Sequence, residues 1–173
     1  MNTADDIAPY SLPDPDNHPG DIAARVMRMP EHQHLVDNEI EIDWLMRNIE
    51  KISGGRMVLG SVHEPTCQGQ MAPVFEWMLE RLLGKLPRFL VILDSAYWEQ
   101  ADDHAREILI FHELCHIRQK LDRYGAPRFD KDGLPVYGLH GHDVEEFTSV
   151  VARYGAHNPD LQQFIKAANS HGD

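Results

Sequence analysis

The sequence of 173 residues predicts a small α+β domain: a short sheet of two or three strands packed against a buried central helix, with further helices on its flanks. Three observations lead there. Residues 88–94 (RFLVILD) form a continuous apolar run of strand length, the pattern of a strand covered on both faces. Helical segments with three- and four-residue apolar spacing alternate with such short strand-like stretches. One of those segments carries His112-Glu113-Leu114-Cys115-His116, and apolar residues cover much of its circumference, which marks it as the central helix.

Taken in order, residues 1–30 hold Pro9, Pro13, Pro15, Pro19, Gly20 and Pro30 and few apolar residues. They read as an extended N-terminal arm, with at most a short helical turn over 22–29. In residues 31–52, Leu35, Ile42, Leu45, Met46, Ile49 and Ile52 recur at helical spacing, and Gly54-Gly55 follows as a stop. This predicts an amphipathic helix with Trp44 in the core. Residues 56–62 predict a strand and 65–70 a loop. Residues 72–83 predict a helix, with Pro73 in the first turn where a missing N–H costs nothing. Its stripe Phe75, Met78, Leu79 and Leu82 is expected in the core. After the strand at 88–94, the motif helix is expected over 101–121, with Asp102 and Asp103 suited to its positive end. Residues 125–141, rich in Gly and Pro, predict a loop with a loose hairpin near Asp132-Gly133. A helix over 143–154 follows, with Asp143 as N-cap and Glu146 completing a capping box. A last helix spans 159–168, before a tail at 169–173. One domain over 31–168 therefore follows the arm, and no internal repeat stands out.

Composition narrows the function classes. No apolar run approaches the length of a membrane span, and the acidic N-terminus has no basic or apolar leader region, so a cytoplasmic protein without membrane contact is expected. The only two cysteines, Cys67 and Cys115, exclude a disulfide framework and a four-cysteine zinc ribbon. A net charge of −12 argues against a nucleic-acid partner, since such binding depends on neutralising phosphates with Lys and Arg.

The motif itself points to metal chemistry. Two His four residues apart on a helix lie about 40° apart around its axis, so both imidazoles can face one ion. Glu113, beside the first His, is placed to exchange a proton with a water on that ion. A catalytic zinc takes three protein ligands and keeps one open position. Asp122 has the spacing of a last ligand, but Gln119 stands where a Gly would turn the chain back, and a continuing helix carries Asp122 off the face. His142 is the better candidate, at the mouth of the following helix after a Gly-rich approach. Glu145 or Glu146, from inside that helix, remain alternatives. His140 is a fallback ligand or a donor in the surrounding shell.

HELCHIRQ (112–119), followed by GHDVEEF (141–147) and VARYG (151–155), resembles the phage metallopeptidase family, which pairs an H-E-L-x-H helix with a downstream G-H-D-x-E-E-F segment. The likeness covers about residues 56–155. It implies a zincin-like fold, His112, His116 and His142 as metal ligands, and Glu113 as catalytic acid and base. More distantly the arrangement is similar to SprT-like zincins, although their C-terminal zinc ribbon is missing and the chain is acidic.

The expected function is therefore a cytoplasmic zinc metallopeptidase with one ion per chain, acting on a peptide or protein, in a bacterial host cell if phage-encoded. His140, Tyr137 and Tyr154 are candidate oxyanion donors. The alternatives are a zinc hydrolase of another amide, and a zinc-binding phage or prophage interaction protein without turnover.

Overall fold

The computed structural model describes residues 7–145 and 147–171. It divides into two compact units, Met1–His140 and Gly141–Asp173. The protein is α+β, as the sequence predicts, with a larger sheet than expected. Four strands line up in the order β1 (Tyr10–Ser11), β2 (Ile42–Arg47), β6 (Phe89–Asp94) and β5 (Gly60–His63). The central pair β2 and β6 is parallel, and both outer pairings are antiparallel. A small hairpin of β3 (Ile52–Ser53) and β4 (Arg56–Met57) leads into β5.

Strand β6 is the apolar run, and burial explains it. Phe89, Val91 and Leu93 are fully buried, each contributing about 1.5–3 kcal/mol by leaving water. Around them the core collects Trp44 and Met46 from β2, Trp98 from α4 (Ser95–Gln100), and Leu109, Ile110 and Leu114 from α5 (Asp103–Cys115). At the ends of β2 and β6, Arg47 and Asp94 form a buried ion pair at 3.2 Å. Arg47 also donates to the carbonyls of Ile49 and Val58, while Asp94 Oδ1 caps α4 by accepting from Tyr97 N–H at 3.0 Å.

The segment 31–52 is not one helix. A short helix, α2 (Gln33–Asp37), ends at Asn38 and is followed by β2. The stop is a Schellman turn: Ile40 N–H donates to Leu35 C=O (2.9 Å) and Glu39 N–H to Val36 C=O (3.0 Å). Glu39 takes the left-handed position, φ 50°, that glycine usually fills, so the sequence carried no visible stop. Beyond it, Trp44 and Met46 alternate toward the core at strand spacing.

Residues 7–30, read as an extended arm, contain β1 and a helix, α1 (Pro19–Val26). His18 Nδ1 caps α1 by accepting from Gly20 N–H at 3.0 Å, and Ile22, Ala23 and Val26 enter the core against α5. Helix α3 (Ala72–Leu83) forms with the expected bounds, but of its stripe only Leu79 is buried, while Met78 and Leu82 are exposed beside Trp77.

The motif helix is shorter than expected. Asp102 caps α5, accepting from Ala105 N–H at 2.8 Å, and the helix ends at Cys115 with His116 as its C-cap. The next residues become β7 (Ile117–Gln119), which pairs with β8 (Tyr137–Leu139). Pairing with a distant strand overrides the local helical preference of IRQK.

Between these strands lies an eight-residue repeat, too short and too diverged to stand out in the sequence: LDRYGAPRF (121–129) and FDKDGLPVY (129–137). The two copies fold alike. Asp122 Oδ1 accepts from the N–H groups of Tyr124 and Ala126, and Asp130 Oδ1 from those of Asp132 and Leu134. Gly125 and Gly133 supply the left-handed residue each turn needs, at φ 81° and 80°. Lys120, Arg128 and Val136, one repeat apart, close a ring of main-chain bonds: 128 to 120, 136 to 128 and 120 to 136.

In the C-terminal unit, α6 (Thr148–Tyr154) starts five residues later than expected. Its N-cap is Phe147 and no side chain caps it, so Asp143 does not begin this helix. The expected capping partner Glu146, also an alternative ligand, lies outside the described residues. Helix α7 (Pro159–Asn169) follows, capped by Asn158 Oδ1 accepting from Leu161 N–H at 2.8 Å.

Candidate metal centre

The end of α5 builds the site. Residues 109, 110, 113 and 114 face the core, which turns His112 outward and Glu113 inward. His116, one turn on, keeps helical backbone angles as the C-cap, so the four-residue relation of the two His survives the end of the helix. Their rings stand 5.2 Å apart between centroids and nearly perpendicular, at 78°.

Strand β8 then fixes the second imidazole. His116 and His140 are joined twice: His140 N–H donates to His116 C=O at 2.7 Å, and His116 Nδ1 lies 2.7 Å from His140 C=O. A carbonyl only accepts, so Nδ1 carries the proton. In the neutral ring the lone pair is then on Nε2, the tautomer a metal ligand uses, and a carbonyl on the other nitrogen is the common way of holding it. Residue 140 thus acts on the site through its backbone, which its side-chain chemistry did not foretell.

Two residues beyond that anchor comes His142. One nitrogen each from His112, His116 and His142 lie within 4.8 Å of one another. His112 and His142 are exposed and His116 half-buried. Three imidazoles at this spacing can hold a metal ion, and the chemistry of the donor set fits zinc. Neither the His140 ring nor Glu145, which is exposed and precedes α6, belongs to the group.

Glu113 is 3% exposed. Burial raises its carboxyl, the nearby His116 offsets part of that rise, and the net result is about 7. Glycine 60, at the start of β5, lies against this side chain. Periodicity could not reveal that neighbour, because strand and motif helix are far apart in sequence.

Tyr137 is committed elsewhere. Its buried hydroxyl donates to His34 C=O at 3.1 Å, lies 3.0 Å from His34 Nδ1, and accepts from Asn38 at 3.1 Å. It ties α2 to β8.

The family model described as putative phage metallopeptidase matches residues 16–169. The chain belongs to that family. Comparisons with curated proteins and with solved structures give no match. The match to this phage metallopeptidase family begins ahead of α1, consistent with the contribution of that helix to the core. Among the described residues, no helix is long and apolar enough to cross a membrane.

Proposed function

We propose that the protein is a zinc-dependent peptidase in which His112, His116 and His142 hold one ion and Glu113 carries the proton. The observation that supports this most is the grouping of three imidazoles next to a buried carboxyl group. Neutral nitrogen ligands suit zinc and leave its charge uncancelled. Zinc held there would supply a polarised carbonyl and a water acidified toward neutral pH. Glu113 accepts the proton of the attacking water and passes it to the leaving amine. A carboxyl that titrates near 7 can do both at neutral pH. His140 C=O keeps His116 in the ligating tautomer throughout.

The test is elemental analysis of protein purified without added metal, together with cleavage of a mixed peptide library. About one zinc per chain is expected, lost in His112→Ala and His116→Ala. His142→Ala should weaken zinc affinity far more than His140→Ala or Glu145→Ala. Glu113→Gln should keep the metal and lower turnover by about 10²–10⁴-fold. Metal content near zero after zinc addition would sink the reading. Glu145→Ala losing zinc while His142→Ala retains it would reassign the third ligand to the carboxylate.

A further inference from the structure

Gly60 opens the edge strand β5, which packs against α5. Its backbone does not demand glycine, since it is not among the residues with positive φ. Space does. A methyl group on its α-carbon would stand 2.4 Å from Glu113 Oε1, 2.7 Å from Cδ and 2.9 Å from Cγ. All three distances lie well inside van der Waals contact, and all three atoms belong to Glu113.

Neither partner can easily retreat. Glu113 is 3% exposed, so its carboxyl is enclosed and has no open solvent to swing into. Gly60 is paired with Leu93 on β6, which is fully buried, and the carbonyl of Leu59 accepts from Asp94 N–H at 2.8 Å. These bonds pin the start of β5 to β6.

We propose that Gly60 is a positioning residue for Glu113: its missing side chain forms the slot that holds the carboxyl group beside the His112 and His116 pair. The catalytic part of this inference rests on the peptidase reading above, while the slot itself does not. Any side chain at position 60 fills the slot and expels the carboxyl group from it.

A double-mutant cycle tests this on the whole, metal-free protein in chelator, read by urea unfolding. Gly60→Ala should raise the unfolding equilibrium constant by about tenfold or more when Glu113 is present, as overpacking does. In the Glu113→Ala background the same substitution should change it less than about threefold, because the clashing atoms are gone. Intrinsic glycine-to-alanine effects cancel between the two backgrounds. An equal change in both would overturn the proposal. Should Gly60→Ala fail to fold alone, recovery of folding in the double variant supports the slot, and continued failure overturns it.

Zinc affinity and kinetics give the second readout. In Gly60→Ala, zinc affinity should stay within about threefold of the parent, and kcat should fall toward the Glu113→Gln value with KM little changed. Full kcat in Gly60→Ala would overturn the positioning role. Coupling in the unfolding cycle, in a protein that cleaves no peptide, would uphold the slot and sink only the peptidase reading.

Discussion

Glu113→Gln should make the metal-free protein more stable at pH 8 and scarcely more stable at pH 5. Burial raises the Glu113 carboxyl from 4.5 to about 7, so the folded chain holds this proton more tightly than the unfolded chain. Between those two values the folded state binds more protons, and stability falls as pH rises through the folded pKa. The full difference, at about 1.4 kcal/mol per unit, is about 3 kcal/mol. It is essentially complete by pH 8, and at pH 5 it is under about 1 kcal/mol. Glutamine keeps the shape but has no charge to desolvate, so it escapes this cost. The assay is urea unfolding of both proteins in chelator at the two pH values. Saturating zinc should shrink the advantage of glutamine, since a nearby cation favours the carboxylate. The same advantage at both pH values, or none at pH 8, would refute burial as the cause.

Three further outcomes follow from the packing. Arg47→Ala should cost about 3–5 kcal/mol in urea unfolding, because it leaves Asp94 charged, buried and without its cation; a loss under about 1 kcal/mol would show the pair to be dispensable. His32 is buried against Phe111 with no hydrogen-bond partner among the described residues for either ring nitrogen, and burial lowers its pKa. Its depressed folded value means that stability present above about pH 6.5 is lost as pH falls toward that value, and His32→Phe should flatten this part of the unfolding profile of the metal-free protein. Tyr137→Phe should cost about 1 kcal/mol by removing the hydroxyl that joins α2 to β8, while turnover stays within a few fold of the parent; a fall in turnover by about a hundredfold or more would restore Tyr137 as an oxyanion donor.

Where side-chain pattern alone decides structure, the sequence was readable. Helix α3 and strand β6 stand where their apolar spacing placed them, and α5 carries the motif. Local signals failed wherever a distant partner or an unusual residue made the decision. Glu39 in a left-handed conformation ended α2, where only a glycine would have been legible. The pairing of residues 117–119 with β8 ended α5 one residue before its second His. Asp143 and Glu146 have the spacing of a capping box, yet α6 starts only at Thr148. At the site, the nearness of the His112 and His116 rings was legible because their spacing is local. The carbonyl of His140 and the bare α-carbon of Gly60 were invisible, because neither is expressed as a side chain.

The duplicated turn between β7 and β8 makes the length of this insertion discrete. Residues 120, 128 and 136 close one ring of main-chain bonds, and the bond from Lys120 N–H to Val136 C=O skips a whole repeat. Removing residues 122–129 would join Leu121 to Asp130 and leave one Asp-x-x-Gly turn between strands that already touch. Removing four residues would break the register and turn the wrong side chains toward each other. Loss of eight residues, one whole turn, should therefore leave undisturbed the two ends that hold His116 and His140 together.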